Sequence, residues 1–259
     1  MQSAIDAIEI GTLTKVAVAR EETWTTDVAP DAVDLLASLD ARFPDCFRFC
    51  VEPADGATFL GASPERLMSV RAGEVRADAL AGTRRRGADE AADAALGEDL
   101  LTDDKERREH VAVVDYLRDA LTPVSTTLDV AETELLRLPN VQHLHTPLRG
   151  QLVNGEGALD LIGLVHPTPA VGGLPREAAL TWLEDHEPLE RGWYAGGVGV
   201  VRLDGDGEFC VAIRSALLDG ATTHLFAGAG IVAGSRPAQE RTEVDHKLEG
   251  LREVLHAGS

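Results

Sequence analysis

The chain has 259 residues, 44% of them apolar, which is enough to bury a continuous core. Its 44 acidic and 24 basic side chains give a formal charge of −20, which repels nucleic-acid phosphates and anionic lipid and argues against either as a partner. No apolar stretch reaches the roughly 18 residues of a membrane span, and Met1-Gln2-Ser3-Ala4-Ile5-Asp6 lacks the basic and apolar regions of a leader, so a cytoplasmic protein without membrane contact is expected.

Residues 14–20 alternate polar and apolar types as a strand does, which puts Lys15, Ala17 and Ala19 on one face. Helical spacing follows over residues 31–43, with Asp31 placed to cap it. Strand-like runs come next at residues 47–51, 58–61, 67–71 and 74–81, and Ala72-Gly73 joins the last two as a hairpin. Between residues 88 and 121 the spacing predicts two helices broken near Thr102-Asp103, and a mixed stretch of strands and loops runs on to about residue 152. Short helices are predicted over 158–165 and 175–184. The turns Asp204-Gly205 and Asp219-Gly220 punctuate three strands, 197–203, 208–218 and 223–232, before one long helix over 237–256. Strands in runs, without strict alternation with helices, predict an α+β fold on mainly antiparallel sheet. No repeat and no Pro/Gly/Ser linker divides the chain, so a single domain over 1–259 is expected.

Cys46, Cys50 and Cys210 lack paired Cys-x-x-Cys spacing and read as buried reduced thiols. No histidine sits in a His-Glu-x-x-His pattern, so no histidine-bound metal is expected. Among the 24 basic side chains only Lys15, Lys105 and Lys247 are lysines. In a chain that largely avoids lysine, each survivor is suspect of having a task.

Two predicted helices carry the same acidic spacing, Glu106-x-x-Glu109 and Glu240-x-x-Glu243, which places each pair on one face. Glu109 also aligns with Val113, Tyr116 and Ala120, and an inward carboxylate needs a cation or a partner. In so acidic a chain the plainer reading of either pair is a solvated face with ordinary salt bridges. Two such helices facing each other would instead form an oxygen cage of the kind that suits magnesium. The run Phe226-Ala227-Gly228-Ala229-Gly230-Ile231-Val232 would let backbone amides approach an anion, although a hairpin or bulge accounts for it equally. Arg214 lies inside the apolar run Val211-Ala212-Ile213-Arg214-Ser215-Ala216-Leu217, where a guanidinium either pairs with a buried acid or waits for a ligand carboxylate. Glu65 follows Ser63-Pro64 at a turn and by itself reads as a surface residue.

Taken together, these pieces resemble the chorismate-utilising enzymes over nearly the whole chain. The matching blocks are Lys15 to Arg20, Phe59-Leu60-Gly61-Ala62-Ser63-Pro64-Glu65, Leu80-Ala81-Gly82-Thr83-Arg84-Arg85-Arg86-Gly87, Lys105 to His110, His166 to Pro175, Arg191-Gly192-Trp193-Tyr194-Ala195-Gly196, Ile213-Arg214 and Phe226 to Lys247. Anthranilate synthases of this family usually have glutamine where this chain has Lys15, and aminodeoxychorismate synthases place a nucleophilic lysine where it has Ala81. The block His166-Pro167-Thr168-Pro169-Ala170-Val171-Gly172-Gly173-Leu174-Pro175 looks like the isochorismate synthase version. All three observations point to water addition, not ammonia addition.

The resemblance implies antiparallel sheets packed face to face with helices outside, and conversion of chorismate to isochorismate. Lys15 falls at the family's base position and Glu65 at its acid position. Glu109 and Glu243 fall at positions that ligate magnesium, with Glu106 and Glu240 nearby or bound through water. Arg214 and Tyr194 are expected on the enolpyruvyl carboxylate, Gly228 amides and Lys247 in the anion pocket, and His143, in Gln142-His143-Leu144-His145-Thr146-Pro147, at a histidine that polarises the substrate. No glutamine amidotransferase subunit is implied. A salicylate synthase, or a chorismate-binding fragment without turnover, stands beside this reading. The family ordinarily carries a substantial segment before the Lys15 block, which here begins fourteen residues from Met1, so an exposed sheet edge or an unfinished core is expected.

The acid-rich, lysine-poor composition implies work in high salt, where self-repulsion is screened. A charge of −20 is only partly screened at a Debye length of about 10 Å in 0.1 M salt and largely screened at about 3 Å in 1 M. The unfolding midpoint of the ligand-free protein should therefore rise between 0.1 and 2 M potassium chloride; a flat or falling midpoint would show that the acidic surface is not a salt adaptation.

Overall fold

In the computed structural model, which describes residues 1–54 and 56–257, the chain begins with helix α1 (Gln2–Glu9), an element the spacing did not announce. Strand β1 (Lys15–Thr25) follows, then α2 (Ala32–Arg42), where the Asp31 carboxylate accepts from the Val33 and Asp34 amides at 2.8 and 3.0 Å as an N-cap does. Strands β2 (Phe47–Val51), β3 (Thr58–Ser63), β4 (Arg66–Arg71) and β5 (Glu74–Arg85) come next. Ala72 and Gly73 both adopt positive φ, the conformation a tight turn between β4 and β5 requires. Helices α3 (Glu90–Thr102) and α4 (Asp104–Leu121) break where expected, because Asp103 caps α4 through the Lys105 and Glu106 amides. The mixed stretch resolves into β6 (Ser125–Val130), β7 (Glu134–Arg137) and β8 (Val141–Leu152). Then come α5 (Ala158–Val165), β9 (Gly173–Leu174), α6 (Arg176–His186), β10 (Gly197–Val201), β11 (Gly207–Val211), β12 (Ser215–Asp219), β13 (Thr222–Val232) and α7 (Pro237–Ala257).

The strands form two antiparallel sheets, in the orders β2-β3-β12-β13-β1-β9 and β10-β11-β4-β5-β8-β6, with β7 also on β8. The α+β class and the face-to-face sheets are as the sequence implies. Residues 208–218 were expected as one strand, and the structure divides them. β11 belongs to the second sheet and β12 to the first, and the crossing runs through Arg214 at φ 53°. No glycine or proline marks that corner, so the apolar run hides it.

Each sheet buries its outer face under helices. Leu35, Leu39, Val244, Leu248 and Leu251 of α2 and α7 cover Leu60, Ala216, Leu225 and Ala227 of the first sheet. Val113, Leu117 and Leu121 of α4 and Leu161 and Val165 of α5 cover Leu67, Val75, Ala77 and Ala79 of the second. Helix α1 packs Ala4, Ile5, Ala7 and Ile8 against Val16, Val18, Ile231 and Leu183, which completes the core beside β1. At the far end β10 is an edge strand, and Val200 and Leu203 there are exposed. Period-2 alternation then turns Lys15, Ala17, Ala19, Gly228 and Gly230 toward the space between the sheets.

Candidate active site

A cleft opens between the sheets and is lined by Ala17, Glu65, Leu80, Thr83, His143, Tyr194, Arg214 and Lys247. Each sequence-predicted catalytic or substrate-binding residue lines this cleft except Lys15, which sits behind it, 0% exposed, with Nζ 3.3 Å from the Glu109 carboxylate. Burial lowers the Lys15 pKa, and the opposing pull of Glu109 does not restore it.

Glu65 is 2% exposed, and its Oε1 has no hydrogen-bond partner. Burial pushes its pKa up to about 8 against the pull of Lys15 and the lesser ones of Lys247 and Arg214, so at neutral pH the group is a carboxylic acid with a proton to give. The surface reading of Glu65 taken from its turn context fails because the β3–β4 turn folds into the gap between the sheets.

The four glutamates of α4 and α7 do meet. Among the described residues, however, no three His, Cys, Asp or Glu side chains stand together at ligand spacing. Ammonium groups hold them instead. Lys105 Nζ lies 3.3 Å from Glu106, 3.4 Å from Glu109 and 3.0 Å from Glu240, and Lys247 Nζ lies 2.6 Å from Glu243. Burial opposes a charged Lys105, yet its four carboxylate neighbours raise its pKa. Burial likewise works against the Glu109 and Glu243 carboxylates, and the lysines outweigh it and keep both below the ordinary value. Glu106 is the most committed of the four: it accepts from Arg84 at 2.9 Å and from the Thr83 amide at 3.1 Å. A buried set of carboxylate oxygens gathered around cations is chemically suited to a hard divalent ion.

The glycine run lies within β13, and Gly228 lines the cleft. Gly228 presents its carbonyl to Lys247 Nζ at 2.9 Å, so its place in the site is to orient that ammonium. A Cβ on Gly230 would stand 1.9 Å from Glu109 Oε1 and 3.0 Å from Lys15 Cε, so the missing side chain makes room for the pair.

Arg214 is partly buried, which lowers its pKa, and no described carboxylate lies within ion-pair distance of its guanidinium. Its side-chain partner is His143 Nε2 at 2.9 Å. Burial also pushes the Tyr194 phenol up to about 12, keeping it a neutral donor. Three residues that carry the geometry were not singled out from sequence. Thr83 follows a bulge at Gly82, where the β5–β8 register shifts. Arg191 donates to the Ala17 and Val171 carbonyls at 2.7 and 2.6 Å and to Glu187, which accepts from the Ala19 amide at 2.8 Å. This pair takes the place of a neighbouring strand where β9 stops at Val16. A lone glycine inside the strand pattern was the available signal for the first; for Arg191 and Glu187 nothing local exists.

An inter-sheet cleft that sets a buried amine and a protonated carboxyl beside carboxylate-free guanidinium defines an enzyme-like site for an anionic ligand. Residues 1–256 match the family described as chorismate binding enzyme, and the chain belongs to it. It is 44% identical over 259 residues to the salicylate biosynthesis isochorismate synthase of Pseudomonas aeruginosa, covering 99% of this chain and 54% of that protein. It is 39% identical over 258 residues to isochorismate synthase MenF of Bacillus subtilis, at 98% and 54% coverage. The structure of MenF, the menaquinone-specific isochorismate synthase from Escherichia coli, superposes with a TM-score of 0.90 at 38% identity, covering 98% of this chain and 59% of that one. The chain thus spans about half the length of the curated relatives it matches.

Gly230→Ala should displace the Glu109 carboxylate from Lys15 and cost about 1–3 kcal/mol of stability as an overpacking change. Thermal unfolding measures this, and an unchanged midpoint would show that the strand yields to the new methyl group.

Proposed function

We propose that this chain converts chorismate to isochorismate with magnesium, supplying menaquinone synthesis or, as the other outlet, siderophore synthesis. The observation that carries the reading is Glu65: a buried acid whose Oε1 has no partner among the described residues, lining a cleft with a guanidinium that has no described carboxylate, while the buried Lys15 amine lies behind it. Such a site offers a proton at one place, takes one at another and holds an anion between them.

Lys15, whose pKa burial lowers, takes a proton from water as its oxygen adds to ring carbon 2. The ring double bonds migrate, and the carbon 4 hydroxyl departs with the Glu65 proton as water. One water enters and one leaves, so the net change is isomerisation. Arg214 and Tyr194 receive the enolpyruvyl carboxylate, and Lys247, steered by the Gly228 carbonyl, lies by the ring carboxylate. Magnesium, when bound, neutralises that carboxylate. Glu109 and Glu243 are the residues that would hold it, as the resemblance to the family's ligand positions implies, with Glu106 and Glu240 nearby, and the lysines now on Glu109 and Glu243 would have to give way to it. Because water is the nucleophile, no ammonia-supplying subunit is called for. No helix among the described residues is long and apolar enough to cross a membrane, and the reading places the enzyme in the cytoplasm.

Chromatography of products after incubation with chorismate and magnesium tests the proposal. Isochorismate supports it, salicylate with pyruvate would make the chain a salicylate synthase, and binding without product would make it a non-catalytic fragment. Magnesium titration of glutamate variants tests the ligand ranking: Glu109→Ala and Glu243→Ala should lose more magnesium affinity than Glu106→Ala or Glu240→Ala, and equal losses from all four would overturn it.

The pH dependence follows from Glu65. Its pKa of about 8 stands above the ordinary 4.5, so from 4.5 to about 8 the folded chain keeps a proton that the unfolded chain has released. Stability falls as pH rises through that window and then levels off. Wild-type kcat/KM should fall on the basic side of about pH 8 as the acid is lost, and Glu65→Gln should be inactive yet more stable than wild type at pH 8, with the difference fading toward pH 4.5. A kcat/KM flat to pH 10 would remove Glu65 as the acid.

A further inference from the structure

His143 lies on β8 where the substrate would sit, and the resemblance assigns it to polarising the substrate. The hydrogen bonds around its ring give it a different task. Arg214 Nη2 stands 2.9 Å from His143 Nε2, and a guanidinium only donates, so Nε2 is the acceptor and the ring proton resides on Nδ1. Nδ1 is 3.1 Å from the Gly82 carbonyl and 3.1 Å from the Thr83 hydroxyl oxygen, both able to accept that proton. The bulge at Gly82, with φ 77°, is what turns that carbonyl and hydroxyl toward the ring. Both ring nitrogens are thus committed within the protein, leaving no N–H to offer a ligand.

The ring does not gain a second proton. Burial first, then the neighbouring Arg214 and Lys247, hold its pKa well below the ordinary histidine value, with the Gly82 carbonyl and Glu109 opposing. Arg214 needs such a partner. Its backbone is held at φ 53° in the crossing between sheets, where its carbonyl accepts from the Ala62 amide at 3.1 Å, so its side chain leaves the chain from a strained corner. A carboxylate beside it would fix the guanidinium but cancel the charge the ligand needs. A neutral lone pair fixes the direction and leaves the charge.

We propose that His143 is a positioning residue for Arg214, aiming the guanidinium at the substrate's carboxylate, and is not a proton donor to the substrate. The chain of constraint runs from the Gly82 bulge to the histidine tautomer to the arginine. The role in turnover rests on the chorismate reading above; the tautomer does not.

The test has two arms. In steady-state kinetics with chorismate and magnesium, His143→Leu should raise KM by about tenfold, the loss of one oriented anion contact, with kcat changed less than about threefold. His143→Gln, whose carbonyl can accept from Arg214 while its amide donates to Gly82, should recover most of the lost affinity. A fall in kcat of a hundredfold or more at unchanged KM in both variants is the pattern of a group that acts on the reacting substrate, and overturns the proposal. In ligand-free protein, nitrogen NMR of His143 should show Nδ1 protonated and Nε2 bare from pH 6 to 9, with the Nε2 signal shifting in Arg214→Gln. A proton on Nε2 overturns the proposal whatever the turnover. If the wild-type chain neither binds nor converts chorismate, the functional reading falls while the NMR arm still decides the tautomer.

Discussion

The contact on which the site depends is the one between Lys15 and Glu109. Lys15 comes from β1 of the first sheet and Glu109 from α4, which packs on the second, so 3.3 Å of ion pair joins the two layers behind the cleft. A buried ion pair is a poor source of stability, since the cost of removing both charges from water can exceed their attraction. What it fixes is position. Two layers that met only through apolar side chains would have many nearly equal packings, whereas a buried charge with one acceptable partner leaves few. Gly230 belongs to the same constraint, because a larger residue on that strand would stand where the carboxylate is.

Around this pair the protein sets two titratable groups to opposite ends by the same means. Burial disfavours charge on both Lys15 and Glu65, which lowers the pKa of the amine and raises that of the carboxyl. No special partner is required on Glu65; leaving its Oε1 without one is part of the device. The acid and base therefore follow from how the sheets close over them, and the chemistry is coupled to the packing. Helices α4 and α7 act through the same closure, since Glu109 and Lys247 reach the cleft only because each helix lies on a sheet that lines it.

Much of this was legible in the sequence, and the reasons differ by residue. Lys15 was marked by strand alternation and by the scarcity of lysine, and all three lysines do lie together with the glutamates of α4 and α7. The Asp31 and Asp103 caps were visible because capping is local. The corner at Arg214 was not, because an arginine in a left-handed conformation follows from two sheets competing for one apolar run, and only tertiary structure holds it there. Helix α1 was missed for a related reason: eight residues are too few for spacing to speak, and it is packing on Val16, Val18 and Ile231 that makes it a helix. The glycine run was left open between an amide cradle and a hairpin or bulge; it lies in β13 beside β1, and at Gly230 it gives clearance to Glu109. Glu187 and Arg191 substitute for a strand through side chains, a solution no backbone pattern records.

Charge balance in the cleft bears on why the carboxylates outnumber what the lysines need. In formal terms Lys15, Lys105, Lys247, Arg214 and Arg84 face Glu106, Glu109, Glu240 and Glu243, with Arg84 shared by Asp99 and Asp103, so the site is close to neutral with Glu65 protonated. In the proposed reading Lys15 acts as the base without its proton, which takes one positive charge away. A dianion such as chorismate then adds two more negative charges in a region shielded from water, and leaving them uncompensated would cost several kcal/mol. Within the proposed reading, a divalent cation held by Glu109 and Glu243 would offset that addition, close to where Lys105 already gathers three of the four carboxylates. The buried carboxylates would then make the pocket a poorer host for an anion alone than for one that arrives with a metal. On that account the same glutamates that would repel the substrate would tie its binding to the ion.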